Sequence, residues 1–560
     1  MKHLKKTTYL LMALVMLMTV LQTACSAQSP SDGTTESESA AYEAAITKDE
    51  NASYEILLFD SSYVHTFDIA ISEEDWADLL ENPLDKTKYA VNVTIDGETV
   101  EQVSFATKGN SSLSQVASDP DSKRYSFKIN FGKFVKGQTY RGLNKLNLSN
   151  IYADATYLKD YISYEIFRQA GVDAPLTSYV WLTINGEDQG LYLAIEDVSE
   201  SYLERTNDGE GVLYKPEAEG LDVVDVDAAQ SEAVNVPMEP GGRPSQGGMA
   251  PGQGTMPEDG QMPPPLDAGS EMPSDGQSFP GDAQMPPIQQ GGMQMPGVSS
   301  NDSYAVYGSD LKYSDDEISS YSDIFDNNET DVDEEDQKRV ILALKALSEN
   351  EDMETYLDTE EIIRYFVAHN FVLNYDSYIG TMLHNYYLYE SGGKLAMLPW
   401  DYNEGFGSFS RGVGQSTSTS LINTGIDTPL FGTTEEDRPM WSWIVSDDEY
   451  LEQYHEIFSE LIETYFESGK YAEDIDAVYE MILPYVEKDP TAFCTVDQFK
   501  TAVSTLKSFC ELRSESIGAQ LDGTLATVTG KQTAESQIDA SGINLNAMST
   551  ERSGAMGGRP

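Results

Sequence analysis

Asn374-Tyr375-Asp376-Ser377-Tyr378, His384-Asn385-Tyr386-Tyr387-Leu388-Tyr389 and Leu398-Pro399-Trp400-Asp401-Tyr402-Asn403-Glu404-Gly405-Phe406-Gly407 are the segments on which the reading of this chain turns. Glu390 to Gly393 reads as a turn, so its flanks form an antiparallel hairpin in which Tyr389 pairs roughly with Lys394 and Asn385 with Leu398. That pairing returns Asp401 to Asn385 and to the loop holding Asp376. Two carboxylates and an amide therefore converge at the open end of one hairpin. Phosphoryl transfer uses such a set: one carboxylate orients the attacking hydroxyl, while another and an amide oxygen hold magnesium against nucleotide phosphates. A catalytic loop, a short hairpin and an Asp ahead of Phe-Gly follow one another in protein kinases, although Asp401…Phe406-Gly407 is longer than Asp-Phe-Gly. Taken alone, paired acids beside a hairpin are more often structural than catalytic.

Upstream, Ser72 and Asp75 predict a capped short helix carrying Trp76, Leu79 and Leu80. Val91 to Ile95 alternates, meets Asp96-Gly97 and returns as Val100 to Ala106, which predicts a hairpin; Ser126 to Phe131 is a further strand. Asp154 reads as the cap of a helix bearing Leu158, Tyr161, Ile162, Glu165 and Ile166. Tyr179 to Ile184, Asn185-Gly186 and Gly190 to Ile195 predict a second hairpin. Downstream, helices are expected from about Glu335 to Leu347, after a cap at Thr359, over Tyr450 to Phe466 and over Val496 to Leu521. The domain order is a signal segment over 1–25, a flexible tether over 26–51, a folded part over 52–216, an insertion over 217–300, a second folded part over 301–521 and a tail over 522–560. The insertion is Pro/Gly/Gln/Met-rich without hydrophobic period, and the tail is Gly/Ser/Ala/Thr-rich. Neither can offset its chain entropy by burial, so both are expected to be disordered.

The run Asn385-Tyr386-Tyr387-Leu388-Tyr389…Gly393-Lys394…Pro399-Trp400-Asp401…Phe406-Gly407 resembles the signature of the CotH family, named for a spore-coat protein. Lys108-Gly109-Asn110-Ser111-Ser112, Leu146-Asn147-Leu148 with Asp154, Gly190 to Glu196 and Leu213-Tyr214-Lys215 resemble further blocks of it, and the match spans about Tyr54 to Leu521. The resemblance implies an α+β, atypical protein-kinase-like fold and a phosphotransferase using ATP with Mg²⁺ or Mn²⁺. The substrate it implies is a Ser-rich, basic protein. By the same resemblance Asp376 is the catalytic acid/base, Asp401 and Asn385 are metal ligands, and Gly109-Asn110-Ser111 lies over the phosphates. Lys108, Lys128 and Lys215 are candidates for the phosphate-contacting lysine, and Glu196 for the acid that orients it; the sequence does not choose among the lysines. Trp400 is either an adenine-facing ring or core. Asn403 stands where the family commonly has a second Asp. It offers magnesium an oxygen but no charge, which keeps open a rival reading as a non-catalytic spore-coat or cell-surface scaffold.

The N-terminus bears on where such a protein acts. Lys2, Lys5 and Lys6 precede an apolar run from Tyr9 to Leu21, the pattern of an export signal. Leu21-Gln22-Thr23-Ala24-Cys25 resembles a lipobox that would acylate Cys25; ordinary cleavage after Ala27 is the competing reading. An exported protein is therefore expected, lipid-anchored on the outer face of the cell membrane or secreted to the surface. The formal net charge of -59 repels nucleic acid and anionic lipid, so no membrane contact beyond an anchor at Cys25 is expected. Cationic polypeptides and divalent metals are favoured instead. Cys494 and Cys510 could pair or remain buried thiols, and no CxxC or HExxH suggests zinc.

Overall fold

The computed structural model describes residues 52–217, 306–409 and 417–550. The signal segment, the tether, Cys25 and, apart from Glu217, the predicted insertion lie outside the described residues.

Alternation builds the first half. Every second residue of β1 (His65–Ala70) is buried, and β2 (Tyr89–Ile95) keeps the same rhythm. Asp96 and Gly97, both at positive φ (47° and 86°), turn β2 into β3 (Glu98–Lys108), as an Asp-Gly pair predicts. With β4 (Ser126–Asn130), β5 (Lys145–Ser149), β6 (Thr177–Ile184) and β7 (Glu187–Glu196) these strands close a barrel in the order β1-β2-β3-β4-β5-β7-β6, β1 meeting β6 in parallel. Phe67, Val93, Phe105, Ile129, Leu148 and Leu182 are buried together, so the barrel is a packed core and not a pore. Closure also removes the strand edges that separate hairpins would expose.

Helices α1 (Glu73–Glu81), α2 (Ser111–Ser118), α3 (Lys159–Gln169) and α4 (Glu200–Asn207) interrupt this half. Ser72 caps α1 through Asp75 N–H (3.0 Å), as expected. Asp154 is not the N-cap of α3, a position that Leu158 takes without a side-chain cap, but its Oδ2 still accepts from Lys159 N–H at 2.9 Å, five residues on. The second half holds β8 (Val212–Tyr214), α5 (Glu334–Glu349), α6 (Thr359–Val372), β9 (Tyr386–Ser391), β10 (Lys394–Pro399), α7 (Pro439–Ser446), α8 (Asp448–Leu461), α9 (Lys470–Val486) and α10 (Val496–Leu521). Strands β10-β9-β8 form a three-stranded sheet. Although α3 lies among barrel strands in sequence, Ile162, Ile166 and Phe167 belong to the core of the helical half, with Phe366, Phe458 and Phe509. The architecture is α+β.

Arg124 bolts the two halves together. It is 1% exposed, and its guanidinium meets Asp489 at 2.8 Å, Thr491 Oγ1 at 2.7 Å and the Asn150 carbonyl at 2.9 Å. Asp489 also accepts from Leu191 N–H at 3.0 Å, and a Cβ on Gly190 would lie 2.1 Å from it, so only glycine admits this approach.

Three further expectations need correction. The β9–β10 turn is the two-residue Gly392-Gly393, so Tyr389 faces Ala396 and Tyr386 faces Pro399, a register two residues from the expected one. An even shift keeps every side chain on its face, and Asp401 still returns to Asn385. The cap of α6 is Asp358, accepting from Glu361 N–H at 3.4 Å, and not Thr359. The tail from Asp522 is folded as far as Thr550: Leu525, Ala540, Leu545 and Met548 are buried, and Met548 O accepts from Ala155 N–H at 3.1 Å. Isolated apolar anchors on a polar segment carry no period, which is why composition misreads it. Cys494 and Cys510 are both free thiols.

Candidate active site

Helix α6 ends where Leu373 takes a left-handed conformation (φ 54°), which swings Asn374 to Asp376 out of the helix. Asn374 then joins two loops. Its Oδ1 accepts from Asp376 N–H at 3.2 Å, and its Nδ2 donates to the Asp401 carbonyl at 3.0 Å. The Asp376 carboxylate is held from both sides, by His384 Nε2 at 2.9 Å on Oδ1 and Asn385 Nδ2 at 3.1 Å on Oδ2. Asn385 Nδ2 also donates to the Asp376 carbonyl at 2.8 Å, which leaves its Oδ1 as the acceptor end. Asn385 sits at φ 59°, a conformation Asn tolerates better than most residues.

Asp401 is left-handed as well (φ 54°), a costly conformation for an aspartate that its neighbours must enforce. Helix α3 does so. Asp401 N–H donates to Tyr164 Oη at 3.1 Å, Tyr402 N–H donates to Asp160 Oδ1 at 2.7 Å, and Lys159 Nζ donates to the Asn403 carbonyl at 3.0 Å. Farther along, Phe406 and Gly407 N–H bond the Val372 and Leu373 carbonyls (2.6 and 3.2 Å), tying the loop to the end of α6. Burial, and next the Asp401 charge, push the Asp160 carboxyl up to about 7.

The three candidate lysines lie near one another, since Lys108 feels the charge of both Lys215 and Lys128. Lys108 Nζ lies 5.1 Å from the centre of the Trp400 ring, a cation–π contact, and Tyr387 packs edge-on to that ring at 5.4 Å. Burial draws the Lys108 ammonium below its ordinary value, against the attraction of Asp401. Lys128 pairs with buried Asp197 at 3.0 Å, and Lys215 with Glu217. Lys108 alone of the three has no ion-pair partner among the described residues. Trp400 is 4% exposed, so it is core by burial while presenting a face to Lys108.

Glu196 does not orient a lysine. Its carboxylate is taken by Arg205 (2.7 Å), Tyr54 Oη (2.6 Å) and Leu176 N–H (3.1 Å), away from the lysines. The next residue, Asp197, points the other way, as alternation along a strand requires, and holds Lys128. Gly109 (φ 109°) turns the chain after β3, and Asn110 and Ser111 open α2, whose first turn lacks a side-chain cap. The structure thus brings together Asp376, Asn385, Asp401, Lys108, Lys128, Lys215 and Trp400. It adds Lys159, Asp160, Tyr164 and Asp197, which no motif had singled out, and gives partners to Asn374 and His384, which stood in the quoted segments without a role.

Carboxylates and an amide oxygen are the hard donors that magnesium or manganese takes. Among the described residues no group of three or more His, Cys, Asp or Glu side chains converges into a complete cage. Such a partial set suits a cation whose remaining ligands are phosphate oxygens and water. Cavities of about 310 Å³ beside α2 and about 400 Å³ beside α8 share no residue with this set.

Comparison with known proteins agrees with the motif blocks. A family model described as "CotH kinase protein" matches residues 105–245 and 294–517. Inner spore coat protein H of Bacillus subtilis is 20% identical over 397 residues, 70% of this chain and 82% of that protein. An inner spore coat protein H-like protein of the same organism is 33% identical over 75 residues, 13% of this chain and 23% of that one.

Proposed function

The chain belongs to the CotH kinase protein family, and from that premise we propose that it is an atypical protein kinase moving the γ-phosphoryl group of ATP to Ser or Thr hydroxyls. On this reading the barrel and the helical body are the two lobes of a kinase-like fold. The observation that carries it is Asn374, which ties the backbone of Asp376 to that of Asp401 and so holds together the two acids to which this reading gives different roles. Asp376 takes the proton of the attacking hydroxyl while its oxygen bonds to the γ-phosphorus and the bond to the β,γ-bridging oxygen breaks. His384 and Asn385 keep the carboxylate aimed. Lys108, with no ion pair of its own among the described residues, supplies positive charge to the phosphates, and the Gly109-Asn110-Ser111 turn lets backbone approach them. Asp401, with Asn385 Oδ1 and the uncharged Asn403, would hold Mg²⁺ or Mn²⁺. When bound, that cation neutralises charge on the phosphate oxygens.

The net charge of -59 favours a basic, Ser-rich protein substrate. The spore-coat relatives and the N-terminal signal favour an exported or surface location, with Cys25 as lipid anchor. Asp376→Asn is expected to keep metal-dependent ATP binding while phosphoryl transfer falls by at least ~10²-fold. Asp401→Ala is expected to lose both. ATP affinity, transfer rate and melting temperature measured on both variants test this. A folded Asp376→Asn with full transfer would remove Asp376 from the role.

A further inference from the structure

We propose that Asp160 is the second carboxylate of the cation site, supplying the charge that Asn403 lacks. The inference rests on the kinase reading and deepens it. Asp160 belongs to the first turn of α3, and its Oδ1 is fixed by Tyr402 N–H at 2.7 Å, so it stands against the residue that follows Asp401. The side chain is 8% exposed, and its Oδ2 has no hydrogen bond among the described residues. Neither Asp160 nor Asp401 has an ion-pair partner among the described residues, and Asp401 is the charge that acts most strongly on Asp160.

Two neighbouring carboxylates, one largely buried and neither in an ion pair among the described residues, repel each other unless a cation joins them. Lys159, one residue away, does not serve as that cation, since its Nζ is turned to the carbonyls of Asn403 (3.0 Å) and Ala153 (3.4 Å). Lys108, which rests over the Trp400 ring, attracts both carboxylates but forms an ion pair with neither. Placement is rigid as well. Lys159, Asp160 and Tyr164 hold consecutive backbone groups of residues 403, 402 and 401, so one helix fixes Asp160 and the Asp401 backbone in a single frame. A second acid is thus delivered from a helix when the loop itself carries an amide.

Asp160→Asn tests this cleanly, because the amide oxygen still accepts from Tyr402 N–H while the charge is gone. In the full chain, Mn²⁺ binding read by its paramagnetic resonance, with and without ATP, should weaken by at least ~10-fold. The metal-free melting temperature should stay level or rise as the like-charge contact is relieved. Asp160→Asn/Asn403→Asp should recover most of the manganese affinity, by restoring a second carboxylate from the loop. A wild-type manganese affinity in Asp160→Asn overturns the inference, and so does a loss that Asn403→Asp fails to recover. Asp401→Ala separates the two levels of the argument. If it too leaves Mn²⁺·ATP binding intact, the kinase reading has failed; if it alone abolishes binding, only the role of Asp160 falls.

Discussion

Arg124 and Lys108 are two enclosed cations at the same end of the barrel, since Lys108 pairs across β3–β4 with Ser126, two residues from Arg124. Their surroundings are opposite. Arg124 is sealed, with Asp489 at 2.8 Å and hydroxyl and carbonyl acceptors around the rest of its fork. Lys108 is half-buried, rests on the Trp400 ring and has no ion pair among the described residues. A satisfied buried charge holds structure, and removing one partner strands the other. A partly desolvated charge without a partner is held in reserve for an anion that arrives from solution. The same rule sorts the other two lysines, because Asp197 and Glu217 already occupy Lys128 and Lys215.

The comparison breaks first at Arg124. Arg124→Met leaves Asp489 buried and unpaired, and should destabilise the protein by about 3–5 kcal/mol in chemical denaturation. Adding Asp489→Asn should return part of that loss. A cost of about 1 kcal/mol or less would mean that the ion pair is ornamental and that burial does not distinguish the two cations.

Lys108→Met sharpens the other side. It removes a partly desolvated charge that has no ion pair among the described residues, so the melting temperature should hold or rise. Nucleotide affinity should drop by about 1.5–3 kcal/mol, the scale of a hydrogen bond to a charged group. Calorimetric titration of ATP against Lys108→Met, Lys128→Met and Lys215→Met ranks the three. An affinity loss larger in Lys128→Met, without unfolding, would move the phosphate contact to β4.

The sequence was most legible where local chemistry decides conformation. Asp96-Gly97 and Asn185-Gly186 supply the positive φ their hairpins need, and Thr495 to Leu521 carries both a cap and a period. Barrel closure was not legible, because β1 meets β6 across more than a hundred residues and no motif marks a parallel pairing. At the site, Asp376, Asn385 and Asp401 could be gathered from one hairpin. Asp160 could not. It reads as an ordinary polar residue near a helix start, and it reaches Tyr402 from 242 residues away. Glu196 was misread for a smaller reason: at a strand end, one residue decides whether an acid faces the lysines or Arg205. The tail was misread because its anchors are single apolar residues on a polar segment, and composition averages them away.

The smallest expected effect extends the contrast to a lone buried anion outside the site. Glu361 on α6 is half-buried with no ion pair among the described residues; burial, then Asp358 and Asp173, push its carboxyl from 4.5 up to about 8. The folded protein therefore binds this proton more tightly than the unfolded chain does. Stability from Glu361 is fully present below about pH 4.5, declines as pH rises from there, and is lost once pH passes about 8. Glu361→Gln is neutral at every pH and escapes the decline. Melting temperatures of the two proteins should coincide near pH 4.5 and separate by a few degrees above pH 8, the variant being the more stable. Equal melting temperatures at both ends would show that water or movement of α6 relieves the charge. Enclosure alone would then be a poor guide to which unpaired groups await a ligand, Lys108 among them.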